Sequence, residues 1–153
     1  MTGDFGIRCL RAVTPSRYQS MVAKASDGLK AREAGTWTEE KLTYLRKYAE
    51  GFMTAMAPKR AEGRWNKLVY IDPLCGSGKC ITGNDEFDGS PLIALGIHPA
   101  FDHLYFSDRS VRNISALKKR FHEEDRSRVS CKLAIVTNWS GKLFRTFQSV
   151  AWV

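Results

Sequence analysis

Residues 67–79, Lys67-Leu-Val-Tyr-Ile-Asp-Pro-Leu-Cys-Gly-Ser-Gly-Lys79, decide how this chain is read. The apolar run Leu68-Val69-Tyr70-Ile71 has the length and β-branching of a buried strand. It stops at Asp72-Pro73 and opens into Gly76-Ser77-Gly78. Glycine has no Cβ, so such a turn lets backbone N–H groups approach a polar or charged ligand. In open α/β sheets the carboxyl ends of strands are where ligands bind. A nucleotide-type pocket beginning at Asp72 is the expectation.

Outward from this stretch the elements alternate. Upstream, Leu42, Leu45, Ala49, Phe52, Met53 and Met56 recur at helical spacing. Thr36 and Glu39 match a capping box, and Pro58 is expected to stop that helix. Residues 1–35 are weakly patterned and read as a loose arm or a short helix. Downstream, residues 80–89 read as a loop, and Ser90-Pro91 as a helix cap followed by proline in the first turn. A second strand is expected over residues 103–107, ending at Asp108. The following helix would carry Ile114, Leu117 and Phe121 inward, with Lys118, Lys119 and Arg120 solvated. A third strand fits residues 129–136, a last helix residues 142–150, and residues 151–153 look like the start of a fourth strand. This order predicts an α/β fold with a parallel sheet and flanking helices, preceded by a helical extension.

Bulk properties narrow the class. The chain has 153 residues, enough for one core, and its 43% hydrophobic and 26% charged content fits a folded domain. No apolar run is long enough to span a membrane, and the N-terminus lacks the order of a signal peptide, so a cytoplasmic protein is expected. Cys9, Cys75, Cys80 and Cys131 form no Cys-x-x-Cys pair and no zinc spacing, which suggests reduced thiols and no metal site. The net charge of +8 is spread along the chain: residues 1–66 carry 12 basic and 7 acidic side chains, residues 67–153 carry 12 and 9. That balance favours contact with nucleic acid or another polyanion, against the alternative of an inert basic surface.

Three strand ends can converge on one pocket: Asp72 with residues 75–78, then Asp108, then Thr137-Asn138. Asp72 can accept from a ligand ammonium or from the turn's own N–H groups. Asp108 can accept from ribose hydroxyls or cap the helix after it, and one carboxylate can do both. It follows Asp72 by 36 residues, against about 20 in a dinucleotide fingerprint; an inserted loop at residues 81–89 would account for the excess. A phosphate loop fits poorly, because Pro73 stands where glycine is required and Cys80 where serine or threonine is required. The dinucleotide glycine pattern fails at Ile81. Cys75 has no evident base beside it in sequence and reads as a small pocket-lining thiol rather than a nucleophile.

The turn Asp72-Pro-Leu-Cys-Gly-Ser-Gly78 resembles the first motif of class I S-adenosylmethionine-dependent methyltransferases. Three flanking stretches resemble, more narrowly, the three-Cys-motif partner protein family: Trp37-Thr-Glu-Glu-Lys-Leu-Thr-Tyr-Leu-Arg-Lys-Tyr48, Gly89-Ser-Pro-Leu-Ile-Ala-Leu95 and Tyr105-Phe-Ser-Asp108. The resemblance covers residues 37–121 in order. It implies a Rossmann-like fold over residues 36–153 and S-adenosylmethionine as cofactor. Asp72, Gly76 and Gly78 would border the methionine end, with Pro73, Cys75 and Ser77 in the same cofactor-binding turn. Asp108 would hold the ribose and Asn138 would lie near the adenine, where family members more often show an acidic residue. It also implies further strands beyond residue 153, so a C-terminally truncated domain is expected, with the residue 68–71 strand left as an open edge. The expected function is a methyltransferase-like protein acting on or near nucleic acid, with nucleic acid or a protein bearing a three-cysteine motif as partner. The alternatives are a catalytically inactive interaction module for a protein or nucleic-acid partner, and, less well matched, a nucleoside triphosphatase. No catalytic residue is nominated.

Overall fold

Residues 23–133 and the backbone of residues 150–152 are described by a computed structural model. A four-stranded parallel sheet carries the fold. Its strands are β2 (Lys67–Asp72), β5 (His103–Asp108), β6 (Val129–Leu133) and β7 (Val150–Trp152), in the spatial order β6-β5-β2-β7. Tyr70 pairs with Leu104 and Phe106 with Cys131, so the carboxyl ends of β2, β5 and β6 lie at the same end of the sheet. The expected fourth strand is present and begins at Val150, one residue inside the segment expected as helix. It pairs with Lys67–Val69, so the lower half of β2 is covered and is not an open edge.

Helices α1 (Thr36–Ala61), α2 (Ser90–Leu95) and α3 (Val111–Arg120) pack on this sheet. The α1 stripe is as expected: Ala49 and Met53 are buried, and Leu42, Leu45, Phe52 and Met56 pack on the core. Its ends differ from expectation. Gly35 is the N-cap and no side chain caps the helix, so the Thr36–Glu39 box does not form. Pro58 lies inside the helix, which runs on to Ala61. The helix ends instead at Gly63, whose φ of +78° permits a Schellman closure, with Gly63 N–H donating to Arg60 O and Arg64 N–H to Lys59 O. Asp102 then ties helix to sheet, accepting from Arg60 Nη1 at 2.6 Å and from Leu68 N at 2.7 Å.

Two further expectations are corrected. Residues 80–89 are not a plain loop: β3 (Lys79–Thr82) and β4 (Asp85–Asp88) form an antiparallel hairpin about Gly83-Asn84. Gly83 takes φ +60°, the left-handed value needed at the first central position of a type II′ turn. The arm is not loose over residues 23–35. β1 (Arg32–Glu33) adds to this hairpin parallel to β3, and Ala25 and Ala31 are buried. The core lies on the face of the sheet that carries Leu68, Tyr70, Leu104 and Phe106, with Tyr70 against Phe101 at 5.6 Å and Phe106 against Phe121 at 5.9 Å.

Candidate functional site

The turn after β2 is held from three directions. Asp72 Oδ1 accepts from Leu74 N at 3.1 Å, an Asx-type closure of the turn, and its Oδ2 accepts from Ser90 Oγ at 2.6 Å. Ser90, expected as a cap, is instead the first residue of α2, with Gly89 as N-cap. From β5, Ser107 O accepts from Cys75 N at 3.0 Å and Ser107 Oγ donates to Pro73 O at 3.1 Å. Asp108 Oδ2 accepts from Gly76 N at 3.0 Å. The third hold comes from α3, where Arg120 Nη1 donates to Ser77 O and to Lys30 O.

Arg120 is the largest departure from the sequence reading. Expected in solvent, its side chain is only 4% exposed, and it also binds Asp27 through Nε at 2.7 Å and Nη2 at 2.9 Å. The guanidinium beside Asp27 holds that carboxyl down at about 2, against an ordinary 3.8. One buried cation thus joins the β1 arm, α3 and the glycine turn. A second tie runs from Lys79 Nζ to Glu86, which also accepts from Ser26 N at 2.6 Å.

Two glycines in the turn do different things. Gly78 has φ +96°, and a Cβ there would stand 2.9 Å from Leu117 Cδ1. Gly89 N donates to Gly78 O at 2.7 Å, which brings the start of α2 against the turn. Gly76 has φ +69° but a Cβ would meet nothing within 4 Å. Gly76 therefore faces space, while Gly78 is packed.

That space is a cavity of about 420 Å³ between the turn and the first half of α1. Asp72, Cys75, Gly76, Ser77 and Gly78 line it from the turn, and Arg32, Thr38 and Lys41 line it from β1 and α1. Burial raises the pKa of Asp72, partly offset by the bonds from Ser90 and Leu74. Burial, with the Asp72 charge, also pushes the Cys75 thiol up, which argues against a thiolate nucleophile. A larger, shallower depression of about 680 Å³ lies on the other side of the turn, near Asp27, Lys79 and Arg120. Its main charges are already engaged in the Asp27–Arg120 and Lys79–Glu86 pairs, so the smaller cavity is the better ligand site.

The sequence-nominated residues therefore separate. Asp72, Cys75, Gly76, Ser77 and Gly78 meet at the cavity. Pro73 serves the turn through its carbonyl and does not line the cavity. Asp108 is 6% exposed and accepts three protein N–H groups, from Gly76, from Ser110 N at 2.7 Å and from Asn113 Nδ2 at 3.1 Å. It supports the start of α3, but the cap itself is Ser110, which accepts from Asn113 N. Asn138 lies outside the described residues. Sequence reasoning missed Arg120, Ser107 and the cavity cations Arg32 and Lys41. Arg32 could not be placed because β1 was not foreseen, and Lys41, on the foreseen helix α1, carried no local signal that its helix lies over the turn.

Cys75, Cys80 and Cys131 are free thiols, and no cluster of metal-ligating side chains occurs among the described residues. Among those residues no helix is long and apolar enough to cross a membrane. Comparison with protein-family models, with curated proteins and with solved structures gave no match.

Proposed function

We propose that this chain is an S-adenosylmethionine-binding, methyltransferase-like domain of the three-Cys-motif partner type, acting on or near nucleic acid. The observation that carries the reading is the position of the glycine turn. It follows the central strand β2, and the order β6-β5-β2-β7 reverses between β2 and β7. Read along the chain from β2, this is the order 3-2-1-4 of half a doubly wound sheet, whose ligands bind at the reversal.

The residues present suit the amino-acid end of the cofactor. Arg32 and Lys41 would take its carboxylate and Asp72 its ammonium, while the open side of Gly76 lets the backbone approach. At about 420 Å³ the cavity is within the usual size for a small-molecule site. The fit at the ribose is narrower. A carboxylate offers about four acceptor positions, and Asp108 already uses three. What the cofactor supplies is a methyl group already activated on sulfur, so the protein's work is alignment and exclusion of water. No side chain is assigned acid–base chemistry.

The engagement of Asp108 favours a second reading, a catalytically inactive interaction module. A nucleoside triphosphatase is disfavoured further, since Lys79, the lysine a phosphate loop would use, is held by Glu86. Calorimetry separates the three. Micromolar S-adenosylmethionine binding, weakened about 10- to 100-fold in Asp72→Asn by loss of a charged hydrogen bond, supports the proposal. Absence of binding supports the module, and Mg²⁺-dependent ATP binding supports the triphosphatase.

A further inference from the structure

Helix α1 is apolar on its inner face, yet its outer face is not simply polar. Trp37, Tyr44 and Tyr48 are 71%, 60% and 63% exposed. Separations of seven and four residues put the three rings on one face. At 1.5 Å per residue they are spaced about 10 Å and about 6 Å along the helix axis. Lys41 and Lys47 stand exposed beside them, and Glu40 at the margin accepts from the Tyr44 hydroxyl at 3.3 Å. No leucine, isoleucine, valine or methionine occurs on this face, where Gly51 and Ala55 continue the line. The stripe reaches the cavity, because Lys41 stands beside the rings and also lines it.

We infer that this stripe is a docking surface for single-stranded nucleic acid. Bases stack on Trp37, Tyr44 and Tyr48, and phosphates pass Lys41 and Lys47 towards the cavity mouth. Exposed flat rings interleaved with cations are what a strand with unstacked bases recognises. The net charge of +8 complements a polyanion. A protein partner would be better met by aliphatic side chains alongside the rings, and this face has none. A duplex keeps its base faces stacked internally and cannot use the rings. As the identity of the methyl acceptor, this inference rests on the cofactor reading; as a binding surface it does not.

Fluorescence anisotropy with labelled 12-nucleotide single strands of RNA and DNA, at low salt and with the whole chain, tests it. Single strands bind more tightly than the matching duplex, and binding falls as salt rises. Trp37→Ala, Tyr44→Ala and Tyr48→Ala each weaken binding roughly 5- to 100-fold, the stacking loss expected for one base. Trp37→Phe keeps most of the affinity, and Lys41→Gln and Lys47→Gln each lower the salt slope by about one. All of these side chains are exposed, so circular dichroism will show the fold retained. No binding, equal binding by the alanine variants, or preference for duplex would overturn the inference. So would self-association in sedimentation that the same variants abolish, which would assign the stripe to a second copy of the chain. Calorimetry on the unmutated chain keeps the two proposals apart: S-adenosylmethionine binding without oligonucleotide binding sinks only the docking surface, and the reverse sinks only the cofactor site.

Discussion

Gly78→Ala and Gly76→Ala are chemically the same change in one turn, and their effects should differ. At Gly78 a new Cβ stands 2.9 Å from Leu117 Cδ1, well inside the 3.5–4.0 Å of a good carbon contact. Leu117 is fully buried, with Leu92 and Arg120 also close to the new atom, so it has little room to move. Overpacking of this kind costs about 1–3 kcal/mol. A left-handed backbone adds about 1–2 kcal/mol for alanine. Reduced freedom of the unfolded chain returns about 0.4–1 kcal/mol. The net loss for Gly78→Ala is therefore about 2–4 kcal/mol. Gly76→Ala meets no atom within 4 Å and bears only the backbone cost, about 1 kcal/mol net. In urea, with a slope of about 1–2 kcal/mol/M, the first variant should unfold about one to four molar earlier than wild type and the second about one molar or less. Adding Leu117→Ala to Gly78→Ala should cost less than the sum of the two single changes, because the clash is gone. Equal losses for the two glycine variants, or full additivity with Leu117→Ala, would refute the packing described for this turn.

Three further outcomes follow from the same contacts. Arg120→Met should cost about 3–5 kcal/mol in thermal or urea unfolding, since it strips Asp27, Ser77 O and Lys30 O of a shared buried donor. Because the Asp27 carboxyl is lowered from 3.8 to about 2, its contribution is complete above pH 4 and is lost as pH falls towards 2; unfolding curves of Asp27→Asn should lack that part of the acid-side slope. Asp108→Asn replaces one acceptor oxygen with an N–H donor facing other donors, so a loss of about 2–3 kcal/mol is expected by urea unfolding, before any effect on a ligand. Iodoacetamide at pH 9 followed by peptide mass mapping should modify the half-buried Cys131, whose thiol is pushed up to about 11, slowly, and leave the more deeply buried Cys75 untouched until the protein is unfolded.

What could be read from the sequence was local and periodic. The apolar run of β2, the inward stripe of α1 and the pattern Ile114, Leu117, Phe121 each announce an element within a few residues, and all are found. Alternation of strand and helix then implies the parallel sheet. The unread features depend on partners far along the chain or on weak local signals. Arg120 sits in a Lys-Lys-Arg run that looks solvated, and only its meeting with Asp27, 93 residues away, buries it. The β4 segment Asp85-Glu86-Phe87-Asp88 is too polar to resemble a strand, although the Gly83-Asn84 pair before it was a usable hairpin signal. Proline at position 58 gives up the backbone hydrogen bond to residue 54 without ending the helix, which closes one turn later through Gly63. At the site, the turn was legible because glycine spacing is a backbone property. Whether Asp108 is free for a ligand was not, since that depends on how three donors fold around it.

We propose that the cavity beside the Asp72–Gly78 turn takes S-adenosylmethionine. The most direct measurement is ultraviolet cross-linking of methyl-labelled S-adenosylmethionine, with tryptic mapping of the label. Cleavage after Lys67 and Lys79 releases residues 68–79 as one peptide carrying the whole turn. Label is expected on that peptide, displaced by unlabelled cofactor and not by ATP. Label that nothing displaces, that ATP displaces, or that falls on other peptides would contradict the proposal.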